Sequence, residues 1–362
     1  MEGSVDLVGA VSFIHVQPVT VLALLALGFL GGMLSGFIGS GGAFILTPGM
    51  MNLGVDGAVA VATNMCQRSP EALVGLLRRR KLGHVDIKLG LAMGFSAVLG
   101  VKAGVKVQEQ VLATWGKAGS NLYVTVAFLV VLLAVGTIML RDAKRAAVLG
   151  LDDTAPSLPQ RIARLHLPPM INFTTAKRRV SFWVTIPLGF ATGLLAATIA
   201  VGGFIGVPSM VYIIGAPGFV ASGTELLVAF CMGLEGAFEY ASQGLVDLRL
   251  TVIILAGSLI GVQVGALGTI YVRQYMVKLV SGGVMLLAAL SRAMVIPTYL
   301  HDLRLFTLSP DLYGALSVAS AVVLYGALLA AGLVISTAMV KGKREAEHAR
   351  SAVAPVAAGE PY

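Results

Sequence analysis

The sequence predicts an all-α fold: a polytopic helical membrane protein with two internal repeats, each opening on a broken helix. Three observations carry the prediction. Apolar residues make up 57% of the chain and charged residues only 12%, whereas a soluble domain carries roughly a quarter charged residues. The apolar residues gather into runs of about twenty or more, long enough to cross a roughly 30 Å hydrocarbon core. The chain also matches itself when displaced by 161 residues, which is the mark of a duplicated unit.

Residues 1–18 contain Glu2 and Asp6 but no Lys or Arg, so no cleavable signal peptide is expected and the first helix should stay in the protein. Apolar runs at 19–51, 55–77, 87–107 and 120–140 make the first membrane unit, 19–140. The composition then changes. Residues 141–181 scatter Arg141, Lys144, Arg145, Arg161, Arg164 and Lys177 among four prolines, as a basic cytoplasmic linker does. Runs at 182–215, 218–243, 250–272 and 276–300 make the second unit, 182–300. An additional C-terminal span within 301–340 brings the candidate spans to nine, and residues 341–362 read as a polar, flexible tail. The formal charge of +8 is spread between the apolar runs rather than over one face. It therefore reads as orientation signals and lipid contacts, not as a nucleic-acid surface.

The displacement places Gly28 on Gly189, Gly32 on Gly193, Gly41-Gly42 on Gly202-Gly203 and Thr63 on Thr224. It continues through Gly75 on Gly236, Val85-Asp86 on Val246-Asp247, Gly100 on Gly261 and Gly104 on Gly265. Pro48 and Pro208 agree after a slip of one residue. Each unit opens on an apolar run of about 33 residues, which as a single helix would reach about 50 Å. That overshoots the hydrocarbon core, and each run is interrupted by glycines with a proline close behind. A broken helix at membrane depth must face protein or a watery cavity, so paired breaks mark a solute site.

The glycine breaks at Gly41, Gly42, Gly202 and Gly203 direct helix N-termini at one spot, which suits an anion; alternatively these glycines only let helices approach closely. The segments that follow are dense in polar residues for membrane sequence. Thr63, Asn64 and Gln67 stand in the first, Thr224 and Glu225 in the second. Thr63 and Thr224 hold equivalent positions and offer hydroxyls to a shared ligand, or bond their own helix backbone. Arg68 is always charged and suits a bidentate oxyanion; a salt bridge to Glu71 or snorkelling toward Arg78, Arg79, Arg80 and Lys81 are the structural alternatives. Glu235 and Glu239 share one helix face and are candidates for proton coupling, or for an ion pair at a helix end. Asp86 and Asp247, each at the start of a span, read as helix caps.

No enzyme motif is present: there is no Gly-x-Ser-x-Gly, no Walker loop with its Lys and no His-Glu-x-x-His. Cys66 and Cys231 are isolated and the five histidines scattered, so no disulfide framework, metal or cofactor is expected. The expected partners are a small anionic solute and membrane lipids.

Two stretches carry a family resemblance. Gly36-Phe37-Ile38-Gly39-Ser40-Gly41-Gly42-Ala43-Phe44-Ile45-Leu46-Thr47-Pro48, followed by Ala60-Val61-Ala62-Thr63-Asn64, resembles the glycine-rich start of the sulfite exporter TauE/SafE family. Val201-Gly202-Gly203-Phe204-Ile205-Gly206-Val207-Pro208, followed by Ala221-Ser222-Gly223-Thr224, is similar to its second copy. The resemblance covers about residues 20–300. It implies a multi-pass carrier of the bacterial inner membrane, moving sulfite, sulfonates or related small anions. The chain departs from the pattern at Ala43 and Phe204, where further glycine is common, and in its long linker and extra span.

The resulting expectation is a secondary transporter with a midplane site between the repeats. A channel-like anion pore and a membrane scaffold or assembly factor that binds no solute are the alternatives. Topology is open at this level. Counting each first run as one span makes the repeats parallel. The basic residues near Asp86 and at the C-terminus, against a single Arg249 near Asp247, favour inverted repeats with the N-terminus outside.

Overall fold

The computed structural model describes residues 13–14, 16–38, 42–149, 168–271 and 274–353. Its helices are α1 (Pro18–Ile38), α2 (Ala43–Asn52), α3 (Gly57–Lys81), α4 (Ile87–Leu149), α5 (Phe182–Ile199), α6 (Gly203–Pro208), α7 (Gly218–Ser242), α8 (Leu248–Tyr271), α9 (Gln274–Asp302) and α10 (Pro310–Val353). A short antiparallel hairpin, β1 (Met170–Phe173) and β2 (Arg178–Ser181), precedes α5. Linker residues 150–167 lie outside the described residues.

Seven of these helices are long and apolar enough to cross a membrane: α1, α4, α5, α7, α8, α9 and α10. Two differences from the nine sequence runs have simple causes. The runs at 87–107 and 120–140 both fall in α4, which is broken at Gly116, a residue with φ of 62°. Across that break Gln108 Nε2 donates to Ser120 Oγ at 2.8 Å, although twelve residues of straight helix would separate them by about 18 Å. The chain therefore turns back at Gly116, and α4 is two antiparallel arms. The run at 55–77 lies in α3, which is not apolar enough to count as a span because it carries Asn64, Gln67, Arg68 and Glu71. All four are buried, since α3 lies inside the bundle.

Each long first run is broken. α1 stops at Ile38, and α2 folds back along it: Leu46 packs against Gly31, and Gly49 against Leu27. In the second half α5 ends at Ala200, whose φ of 59° is the left-handed conformation that terminates a helix. The short α6 then continues as a π-helical segment, Ser209–Ile214. The rings of Phe44 in α2 and Phe204 in α6 meet edge to face with centroids 4.5 Å apart.

At the centre α3 and α7 cross antiparallel. Gly236 lies against Met65, Gly233 against Ser69 and Gly75 against Leu226. The outer pairs are parallel and interlocked. Gly32 of α1 lies on the backbone of Ser258 in α8, so close that a Cβ there would overlap it, and Gly193 of α5 lies in the same way on Ala97 in α4. Adding 161 to 32 gives 193, and subtracting 161 from 258 gives 97. One contact is thus made twice, with the halves exchanged.

The ends are braced by the same exchange. The backbone N–H of Asp86 donates to Thr224 Oγ1 at 2.9 Å, and that of Asp247 to Thr63 Oγ1 at 3.2 Å. Asp86 Oδ1 accepts from the Leu89 N–H at 3.1 Å and Asp247 Oδ1 from the Arg249 N–H at 3.0 Å, so both acids cap the helices they precede. Asp247 sits beside the second turn of α3, whereas Asp86 lies beyond its C-terminus. Corresponding elements of the two halves therefore run in opposite directions. Span counting fails because each first run reverses at its break instead of crossing once. Single cysteines at Leu82 and Ser242, in a background lacking Cys66 and Cys231, are expected to label with a membrane-impermeant thiol reagent from opposite faces. Labelling of both from one face would contradict this arrangement.

Candidate functional site

Between α3, α7, the C-terminal part of α1 and α8 lies a cavity of about 890 Å³. Its inner end is built by Ser35, Gly42, Gln67, Arg68, Glu71 and Glu225. Its mouth is basic, with Arg78, Arg79, Lys81 and His84. From Arg68 to Lys81 is thirteen residues of one helix, about 20 Å, so Arg68 lies well inside. The sequence places this set because α3 repeats its polar residues at one-turn spacing, at Asn64, Gln67, Arg68 and Glu71, and so turns them to one side.

The inner end is a charge cluster. Arg68 Nη2 stands 3.7 Å from Glu225 Oε1, with the two side chains 6% and 1% exposed. Gln67 Nε2 donates to Glu71 Oε2 at 2.5 Å and to Ser258 Oγ of α8 at 3.0 Å. Arg68 Nε and both carboxylate oxygens of Glu225 have no hydrogen-bond partner among the described residues. A buried ion pair so sparsely satisfied is costly as a purely structural element, and it leaves donor capacity unused on a residue that lines the cavity. Nearer the mouth, Arg79 Nη1 donates to Ser222 Oγ at 3.0 Å, and His84 stacks on Phe219 with ring centroids 5.8 Å apart.

Of the residues singled out from sequence, the cavity brings together Gly42, Gln67, Arg68 and Glu225. Gly42 is the N-cap of α2 with no side-chain cap bond, so the positive end of that helix dipole meets the cavity wall. Gly41 lies outside the described residues. Gly202 and Gly203 are buried at the start of α6 and do not line the cavity. Thr63 and Thr224 are fully buried and brace Asp247 and Asp86. Asn64 donates to Thr47 Oγ1 of α2 at 2.8 Å. Glu235 and Glu239 stand elsewhere, 22% and 27% exposed, on either side of Lys102 Nζ at 3.1 and 3.7 Å. The partner of Arg68 is thus Glu225 of the opposite half, not Glu71 three residues on.

Three residues of consequence escaped the sequence reading as site residues. Glu71 was legible only as a neighbour of Arg68, although its spacing of four from Gln67 shares a face. Arg79 was one of four basic residues in a row, with nothing to set it apart. Arg292 is wholly buried, away from the cavity. It donates to Ser320 Oγ at 3.0 Å and to Asn52 at the C-terminal end of α2, where a cation is favoured by the helix dipole.

The sulfite exporter TauE/SafE family model matches residues 24–292. The chain is similar to two probable membrane transporter proteins of Bacillus subtilis (strain 168). YjnA is 24% identical over 245 residues, covering 68% of this chain and 89% of the relative. YdhB is 25% identical over 244 residues, covering 66% and 86%. A probable membrane transporter protein of Xylella fastidiosa (strain 9a5c) is 26% identical over 258 residues, covering 71% and 86%. No solved structure matches the chain. With the family model spanning the whole cavity and both broken helices, the chain belongs to the sulfite exporter TauE/SafE family of multi-pass membrane transporters.

Proposed function

We propose that the protein is a secondary transporter that carries a small anion, a sulfur oxyanion or organosulfonate first of all, across the bacterial inner membrane. The observation that carries this reading is Arg68, a permanent cation held at the inner end of a large cavity with its Nε unpaired among the described residues. A guanidinium offers paired donors to a tetrahedral oxyanion. The basic mouth raises the local concentration of anions and speeds their entry. By the positive-inside rule the mouth, with Arg78, Arg79 and Lys81, is cytoplasmic, and so is the linker.

A carrier is favoured over an open pore by what stands on the other side. The cavity wall includes Val74, Arg78 and Gln263. Under the displacement of 161 their counterparts are Glu235, Glu239 and Lys102, and these three form the ion cluster already described. At the inverted image of the cavity wall these side chains are thus tied to one another, and Phe44 packs on Phe204 between the two breaks. Alternating access would follow from rocking one half against the other, opening that cluster as the basic mouth closes. Glu235 and Glu239 then serve as a latch for the closed side.

Purified protein in liposomes is expected to exchange labelled sulfite or methanesulfonate with saturation. Conductance without saturation would favour a pore. Absence of any flux or thermal stabilisation with sulfite, sulfonates, sulfate, phosphate and carboxylates would favour a scaffold.

A further inference from the structure

Glu225 is placed as a competitor for the ligand of Arg68. It stands on α7 beside the guanidinium, and a Cβ added at Gly206 of α6 would overlap its carboxylate. The carboxylate is thereby wedged between the backbone of a half-helix and one cation. No N–H or O–H group among the described residues donates to it. The corresponding position in the first half is Asn64 (64 plus 161 is 225), a neutral amide with Thr47 of α2 as partner. One half thus presents an amide to its half-helix and the other an acid.

The charges around Glu225 come from few elements. On α3 these are Arg68, then Glu71 one turn on, then Arg78, Arg79 and Lys81 toward the mouth. The loop after α3 adds His84. On α4 Lys102 faces Glu235 and Glu239 instead, and Asp86 is bound to its own helix start and to the N–H groups of Thr175 and Ala176. The walls from α1 and α8 contribute Ser35 and Gln263, and α6 contributes Gly206, none of them ionisable. Glu225 is therefore the carboxylate paired with the one guanidinium at the inner end, while Glu71 is held by Gln67. With both ionised the cluster repels an anion.

We infer that Glu225 is the proton-binding residue of this site: ionised, it occupies Arg68; protonated, it releases Arg68 to the solute anion, so that a proton travels with the anion. This rests on the reading of the cavity as an anion site. The balance is simple. A proton from the water at the mouth joins Glu225 Oε, the ion pair opens, and the incoming anion replaces the carboxylate on Arg68. On release the steps reverse.

The test uses anions whose own charge is constant over the range studied. Binding of sulfate and methanesulfonate to the purified full-length protein would be measured by calorimetry from pH 5.5 to 8.5, in pairs of buffers with different ionisation enthalpies. Wild-type affinity is expected to fall about tenfold per pH unit over part of the range, with close to one proton taken up per anion. Glu225→Gln is expected to bind with little pH dependence and no proton uptake, whereas Glu71→Gln and His84→Gln keep the wild-type slope. A slope that survives in Glu225→Gln, or vanishes in Glu71→Gln or His84→Gln, overturns the assignment. So does wild-type binding without proton uptake, a measurement that decides even if Glu225→Gln fails to fold; in each of these cases the anion site itself stands. Failure of folded wild-type protein to bind any tested anion overturns the anion reading and this inference together.

Discussion

Arg68→Gln is expected to abolish anion binding and transport. Removing one member of a buried charge pair costs about 2–5 kcal/mol, or roughly 30-fold to several-thousand-fold in affinity. Part of that loss would be the penalty of leaving Glu225 without its cation. The double variant Arg68→Gln/Glu225→Gln separates the two effects, because it removes both charges with little change of volume. It should recover the thermal stability lost in Arg68→Gln yet still fail to bind sulfate or methanesulfonate. Recovery of anion binding in the double variant would remove Arg68 from the site. Membrane insertion, read by expression and detergent-resistant folding, should be normal in the double variant.

The largest effect on folding is expected at the interlocked glycines. At Gly32 and Gly193 the neighbouring helix backbone, not a side chain that can turn aside, occupies the space of a Cβ. Overpacking a core costs about 1–3 kcal/mol where side chains can shift, occasionally more, and here two helices must part. Gly32→Leu and Gly193→Leu should each lower the thermal midpoint sharply and cut the yield of folded protein, and to a similar degree. Gly283, against which a Cβ would meet nothing within 4 Å, is the control, and Gly283→Ala should be nearly silent. Equal tolerance at all three positions would contradict the close packing.

Much of the fold was legible because glycine is informative where helices touch. The displaced pairs Gly28 and Gly189, Gly32 and Gly193, and Gly100 and Gly261 all fall on interhelical contacts. The breaks were legible because a run of about 33 residues does not fit a bilayer as one helix. The partners were not. Thr63 and Thr224 were paired with each other in the sequence, whereas each bonds the helix start of the other half, at separations of 184 and 138 residues. Nothing local encodes such a contact. Likewise Glu225 and Arg68 are both visible as membrane-depth charges, but only the antiparallel crossing of α3 and α7 makes them neighbours. Glu235 and Glu239 looked buried because their run is apolar. The fold instead places them beside Lys102 on α4, whose side chain is 52% exposed.

The interlocked pairing has a consequence for biosynthesis. Gly32 of α1 leaves the ribosome well before Ser258 of α8, its partner, and the gap of 226 residues corresponds to on the order of 10–45 s of translation. For α1 the wait is harmless, since lipid is as apolar as the missing helix. For α3 it is not: Asn64, Gln67, Arg68 and Glu71 have no place in hydrocarbon until α7 arrives to cover them. The first half therefore emerges with a helix that the bilayer rejects. That segment must wait at the translocon or the membrane surface, so the first half cannot settle in the membrane before α7 is made.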